Sequence, residues 1–71
     1  MAEEVLAELV SVVYQVVAKE GDEVQEGDTL VILESMKMEI PVVAESSGTV
    51  TSIGVSEGDA IKAGHLIAVI S

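Results

Sequence analysis

Short aliphatic runs separated by Gly-, Asp- and Ser-containing turns make up most of this chain. The most β-branched runs cover residues 10–18, Thr29–Glu34 and Met38–Val43. Val and Ile pack well on a pleated surface, and runs of this length bounded by turn residues are typical of strands. Residues 3–17 also fit an amphipathic helix, since one helical face would carry Val5, Leu9, Val12 and Val16.

An internal repeat with an offset of 37 residues decides between helix and strand. Lys19–Asp28 aligns with Ser56–His65, and Leu30–Leu33 aligns with Ile67–Ile70. The segment that aligns with residues 10–18 contains Gly48–Gly54, which is a poor helix because of its glycines and threonines. We therefore predict strands over residues 10–18 and 4–9, as well as over the two later runs.

The repeat also predicts the architecture. Each half reads as a strand, a Glu-Gly-Asp turn, a short β-branched step, a second Gly turn and an aliphatic strand. Neither half can bury a sheet face alone, so the halves should pack together. We predict an all-β, single-domain fold over residues 1–71: a flattened barrel or sandwich with pseudo-two-fold symmetry. A shift of 37 residues from Lys37 gives a position just before residue 1 or just after residue 71. The hairpin that contains Lys37 therefore takes the place that the chain ends take in the other half, and the two-fold should put it at the end of the molecule opposite the termini.

The turn at Met36 and Lys37 departs from ordinary turn chemistry. Two-residue hairpin turns favour Asn-Gly, Asp-Gly or another glycine-containing pair, and this chain uses Gly and Asp freely elsewhere. Such a departure indicates a functional demand on the side chains. Two simpler alternatives remain open: Lys37 could be an ordinary hairpin-tip lysine, and Met36 or Met38 could pack back onto the core.

The other polar residues have ordinary structural interpretations. The turn glycines should adopt positive φ, with Asp22 and Asp59 hydrogen-bonding within their own turns. Glu34 is either a polar position of an alternating strand or a group that orients the lysine or contacts a modifying enzyme. Pro41 should lie on an edge strand. Exposed surface positions are predicted for the other charged turn residues: Lys19, Lys62 and His65.

Composition narrows the classes of function. The net charge is −10, from 13 acids and three lysines, which disfavours nucleic acid and anionic membranes as partners. There is no cysteine and only one histidine, so neither disulfides, thiol chemistry nor a zinc site is expected. No constellation suggests catalytic residues. The N-terminal residues lack the basic start of a secretory signal, and a cytoplasmic location is the expectation.

The segment Glu34-Ser35-Met36-Lys37-Met38, set between two Gly-Asp halves, resembles the biotinyl/lipoyl attachment domain family over essentially the whole chain. It is most similar to the biotin-accepting branch, whose usual pattern is Glu-Ala-Met-Lys-Met. Lipoyl members usually place an acid before the lysine and a small residue after it, and this chain has neither. Without an inserted thumb or a Pro/Ala-rich linker, the chain resembles the small free-standing biotinylated proteins of bacteria.

The resemblance implies a biotin carboxyl carrier that is not itself an enzyme. A biotin–protein ligase would attach biotin covalently to Lys37, with Glu34, Ser35, Met36 and Met38 as flanking recognition residues. By the same resemblance, Met36 and Met38 would matter more for partner discrimination and carboxylation than for attachment. Biotin carboxylase and carboxyltransferase subunits would be the later partners, and the carrier would be a monomer. The alternatives are a lipoyl carrier domain and an unmodified interaction module.

Overall fold

Two antiparallel four-stranded sheets account for the regular structure in this computed structural model, which describes residues 2–71. The strands are β1 (Glu3–Leu6), β2 (Ser11–Val16), β3 (Glu23–Val24), β4 (Thr29–Ser35), β5 (Met38–Val43), β6 (Gly48–Ile53), β7 (Ala60–Ile61) and β8 (Leu66–Ile70). One sheet has the order β1-β8-β6-β3 and the other β5-β4-β2-β7. Over these residues, no helix has the length and hydropathy needed to cross a bilayer. The predicted all-β sandwich is confirmed.

The two sheets are related by the 37-residue repeat. Exchanging β1 with β5, β8 with β4, β6 with β2 and β3 with β7 converts one strand order into the other. The register is conserved as well: Val13 lies opposite Leu33, and the equivalent Val50 lies opposite Ile70. Both strand pairs also have a register shift at the same place, just after these residues. The predicted pseudo-two-fold symmetry is therefore confirmed at the level of individual strand pairs.

Both halves contribute equivalent side chains to a shared aliphatic core. The largest fully buried side chains are Leu30, Leu33, Ile67, Ile70, Val13, Val31 and Val50. Six of these seven form three equivalent pairs, and the equivalent of Val31 is the buried Ala68. Neither half could bury these residues alone, so the dry interior between the sheets stabilises both halves together.

The prediction of a strand over residues 4–9 is wrong for its second part. Strand β1 ends at Leu6, and Ala7 instead exchanges backbone hydrogen bonds with Gly64 and His65, at 2.8 and 2.9 Å. The chain then bends at Leu9 and Val10 before entering β2 in the other sheet. The hydrophobic pattern could not reveal this crossing, because apolar residues continue through it. The strand predicted over residues 10–18 is confirmed as the slightly shorter β2.

The turns follow their predicted chemistry. Positive φ angles of 89–93° occur at the four turn glycines, Gly21, Gly27, Gly58 and Gly64. The Asp22 carboxylate accepts a hydrogen bond from the Lys19 amide at 2.9 Å, and the Asp59 carboxylate accepts one from the Ser56 amide at 2.8 Å. These side chains complete the turns that connect the sheets.

The Lys37 hairpin and the termini lie at opposite ends of the molecule. Strand β2 begins beside this hairpin, with Val12 opposite Glu34, and runs away from it. The turn that follows β2 donates a hydrogen bond from the Gly21 amide to the Val50 carbonyl, near the start of β6. The neighbouring Thr49 exchanges two hydrogen bonds with the C-terminal Ser71. This separation was predicted, and it runs along a molecule whose extents are 32 × 17 × 17 Å.

Candidate functional site

Lys37 occupies the tip of the hairpin formed by β4 and β5. Ser35 pairs with Met38 across the turn, so Met36 and Lys37 are its two central residues. Both have left-handed backbone, with φ angles of 52° and 64°. Positive φ at both central positions is the signature of a type I′ turn, which matches the twist of the two strands. The predicted two-residue hairpin is confirmed.

This turn is unfavourable for the residues that occupy it. A non-glycine residue in left-handed backbone costs roughly 1–2 kcal/mol because Cβ crowds the following carbonyl. The register of β4 and β5 fixes the turn nonetheless, since six residue pairs join these strands. Pro41 lies within β5, which is an edge strand as predicted, so its missing N–H donor removes no interior ladder bond. The strained tip is thus supported by a well-paired hairpin.

Both methionines beside Lys37 project into solvent. Met36 is 91% exposed and Met38 is 63% exposed, and the lysine between them is exposed as well. The alternative that one methionine packs back onto the core is therefore wrong. Burial of these apolar side chains would have stabilised the folded state. Their exposure therefore has a cause other than the stability of the fold.

Ser35 ties the hairpin to the preceding part of the chain. Its hydroxyl donates a hydrogen bond to the Val10 carbonyl at 3.2 Å, and the side chain is half-buried. The bond links the end of β4 to the bend that precedes β2. The sequence resemblance gave Ser35 only as a flanking recognition residue. The role of its hydroxyl depends on a contact across 25 positions, which no local pattern reveals.

An acidic pair lies directly behind the tip. Glu34 and Glu39 are exposed and face each other across β4 and β5. Like charges at opposed positions destabilise a strand pair, although solvent weakens the effect. The prediction that Glu34 is a polar strand position is confirmed. Glu39 was not named as a site residue, although its symmetrical placement about the turn is visible in the sequence.

Exposure alone does not distinguish Lys37 from the other lysines. Lys19 and Lys62 are also exposed, as predicted, but each lies at a Gly-Asp or Gly-His turn without exposed methionines beside it. His65 is likewise exposed, and its Nε2 lies 3.4 Å from the Gly54 carbonyl. What sets Lys37 apart is its place at the end of a rigid hairpin between two exposed apolar side chains.

A surface cleft lies away from this tip. A cavity of about 220 Å³ lies between the edge strands β1 and β5, where its apolar lining includes Leu6, Leu9 and Ile40. Across residues 2–71 there is no cluster of three or more side chains suited to a metal ion. The exposed Lys37 lies outside the lining of this cleft.

An exposed lysine at the tip of a tight hairpin, on a scaffold of two related β halves, is the arrangement expected of an attachment domain. Residues 3–70 match the biotin/lipoyl family model, which is described as "Biotin-requiring enzyme". The chain belongs to this family.

Relatives of the same length strengthen the assignment. The chain is 69% identical over 70 residues to the biotinylated protein TB7.3 homolog of Mycolicibacterium smegmatis, with 99% of each chain covered. It is 61% identical to the homolog of Mycobacterium leprae, with both chains covered completely. The Kluyveromyces lactis urea carboxylase structure contains a similar domain, with a TM-score of 0.93 and 41% identity. That match covers this whole chain but 6% of the carboxylase.

Proposed function

We propose that this protein is a biotin carboxyl carrier whose biotin is attached to Lys37. The observation that carries the proposal is the placement of Lys37 at the strained, exposed tip of the β4–β5 hairpin, between two exposed methionines. Full-length similarity to proteins named as biotinylated supports biotin as the cofactor. The hairpin geometry supports Lys37, rather than Lys19 or Lys62, as the attachment point.

The attachment chemistry requires only an accessible amine from this chain. A biotin–protein ligase would join the carboxylate of biotin to the α-phosphate of ATP as an acyl adenylate; the bond between the α- and β-phosphates would break and pyrophosphate would leave. The Nζ of Lys37, once deprotonated, attacks the acyl carbon; a C–N bond forms, the C–O bond to the adenylate breaks, and AMP leaves. The product is an amide, so one positive charge is lost and the net charge of −10 becomes −11.

The scaffold contributes presentation rather than catalysis. Biotin, when attached, carries an activated carboxyl group from a biotin carboxylase to a carboxyltransferase. Lys37 must therefore reach several different active sites in turn, and a tip at one end of an elongated molecule serves that purpose. Met36 and Met38 provide flexible, polarisable apolar flanks that adapt to different partners. A monomer keeps the tip accessible, and the carrier role requires no catalytic group of this chain.

Labelling followed by carboxylation tests this proposal. The purified chain is incubated with a biotin–protein ligase, biotin and ATP, and then with a biotin carboxylase, bicarbonate and ATP. We expect one biotin per chain and subsequent formation of carboxybiotin, with both lost in a Lys37→Arg variant that keeps the fold. Modification by a lipoate ligase instead would support a lipoyl carrier. No adduct with either ligase would support an unmodified interaction module.

A further inference from the structure

The internal repeat provides a control for those exposed residues that have a described equivalent 37 residues away. Equivalent positions 37 residues apart occupy the same place in equivalent strands with the same register. When both equivalents are exposed, the fold makes the same demand on each. A consistent chemical difference between them therefore points to a function beyond folding.

Such a difference separates the outer face of β2 and the residue just before it from the equivalent positions at β6. Val10, Val12 and Tyr14 are 70%, 43% and 53% exposed, and we call these three residues the β2 apolar patch. Their exposed equivalents are all small and polar: Ser47, Thr49 and Thr51. Threonine and serine thus satisfy the fold at these positions, and the apolar side chains of the patch are not needed for it.

The β2 apolar patch adjoins the Lys37 hairpin. The Val10 carbonyl accepts the hydrogen bond from the Ser35 hydroxyl, and Val12 lies opposite Glu34 in the neighbouring strand. Tyr14 follows on the same outward face of β2, on the other side of the buried Val13. A partner that approaches the tip from this side of the sheet would cover the patch.

The acidic pair borders the patch, and it also differs in chemistry from its equivalents. Glu39, Glu34 and Val12 form one row across β5, β4 and β2. The positions equivalent to Glu39 and Glu34 are Ala2 and Ser71, which carry no side-chain charge. Two opposed carboxylates weaken the hairpin slightly, so their presence favours a partner that supplies positive charge.

We propose that the β2 apolar patch extends the docking surface for the biotin–protein ligase that modifies Lys37, beyond the flanking residues that the family resemblance already implies and beside the Glu34–Glu39 pair. The matching ligase surface would have an apolar centre with a basic rim beside it. The inference rests on the proposed function and deepens it.

The chemistry favours the ligase over the later carboxylase partners. In ligation the reacting atom is the Lys37 Nζ itself, so the ligase must approach the hairpin to bonding distance and must touch the adjacent surface. In carboxylation the reacting atoms lie on biotin. The active sites of the later partners are therefore further from the hairpin than that of the ligase, by the length of the attached biotin. Excess negative charge near the tip would also steer association with a basic ligase surface.

Exchange of residues between the two halves tests the docking surface. The patch variant combines Val10→Ser, Val12→Thr and Tyr14→Thr, which installs the equivalent residues of the other half. The control variant makes the reverse type of change at the far end, Thr49→Val with Thr51→Val. We expect the patch variant to raise the ligase KM about tenfold or more with kcat little changed, and the control to label like wild type. Added salt should raise the wild-type KM.

A competition experiment, in which the variant itself is not labelled, is the second test. The Lys37→Arg chain offers no acceptor amine but retains the surface, so it should inhibit labelling of wild type competitively. The same chain with Tyr14→Thr alone, which leaves the core untouched, should inhibit several-fold less. Equal inhibition by both chains, or an unchanged KM for a folded patch variant, would overturn the docking surface. Failure of the wild type to be labelled would overturn the proposed function instead.

Discussion

Met36 and Lys37 are consecutive residues that both hold left-handed backbone, with φ angles of 52° and 64°. This relationship predicts that the tip stores conformational strain. Replacing the pair by Asn-Gly should raise the free energy of unfolding by about 1 kcal/mol, because Asn and Gly populate a type I′ turn readily. Urea unfolding followed by circular dichroism measures the change.

The control for this exchange is Lys37→Arg, which keeps the turn and should leave stability unchanged. A lower stability for the Asn-Gly variant would mean that Met36 contributes packing, contrary to its 91% exposure.

Gly48 is predicted to be required for close packing against the C-terminus. A Cβ at this position would lie 2.6 Å from the Ser71 carbonyl oxygen and 2.8 Å from the Ile70 Cγ2. Gly48→Ala should therefore cost roughly 1–3 kcal/mol of stability. The equivalent Ser11 already carries a Cβ, so Ser11→Ala should cost about 1 kcal/mol or less, for the lost hydrogen bond to the Leu9 carbonyl. Equal losses in thermal or urea unfolding would contradict this asymmetry.

His65 breaks the repeat at a position where a carboxylate would complete a turn. Its equivalent, Asp28, accepts a hydrogen bond from the Gln25 amide at 2.9 Å. The backbone of the second turn is the same, since the His65 amide donates to the Lys62 carbonyl at 3.1 Å. His65→Asp should therefore add a bond to the Lys62 amide and stabilise the fold by about 0.5–1 kcal/mol. The reverse change, Asp28→His, should destabilise by a similar amount, and a gain from that variant would refute the comparison.

The exposed methionines predict sensitivity to peroxide. Hydrogen peroxide transfers one oxygen atom to a methionine sulfur and releases water, which turns an apolar side chain into a polar one. Treated protein should gain about 16 Da per oxygen at Met36 and Met38, located by peptide mass spectrometry, and its rate of ligase labelling should fall several-fold.

The matched control carries Met36→Leu and Met38→Leu, which keeps both flanks apolar. It should be labelled before and after treatment at the same rate, and a methionine sulfoxide reductase should restore the oxidised wild type. If the wild type is labelled at the same rate after both sulfurs have been oxidised, Met36 and Met38 take no part in ligase recognition.

Much of the fold was predictable because the two halves of the chain are similar in sequence and form equivalent strands. The alignment of Val13 with Val50 and of Leu33 with Ile70 anticipated strand pairs that the structure forms in the same register. Turn chemistry at Asp22 and Asp59 was also local, so it could be derived from neighbouring residues alone. The opposite placement of Lys37 and the termini followed from the offset and the chain length.

The remainder depended on contacts between distant segments. The end of β1 at Leu6 is set by the backbone bonds of Ala7 to a turn more than 50 residues later. The Ser35–Val10 hydrogen bond becomes apparent only when the path of the chain before β2 is known. Neither does sequence reveal whether an apolar turn residue such as Met36 packs inward or outward.

Tryptic mapping of the ligase-treated chain tests the central claim most directly. Trypsin cleaves after the three lysines of this chain, and an amide on a lysine side chain blocks cleavage there. If biotin is on Lys37, cleavage after Lys19 and Lys62 persists, and one biotinylated fragment spanning residues 20–62 replaces the two fragments that meet at Lys37. Biotin on Lys19 or Lys62 with continued cleavage after Lys37 would contradict the assignment of the hairpin tip as the attachment site.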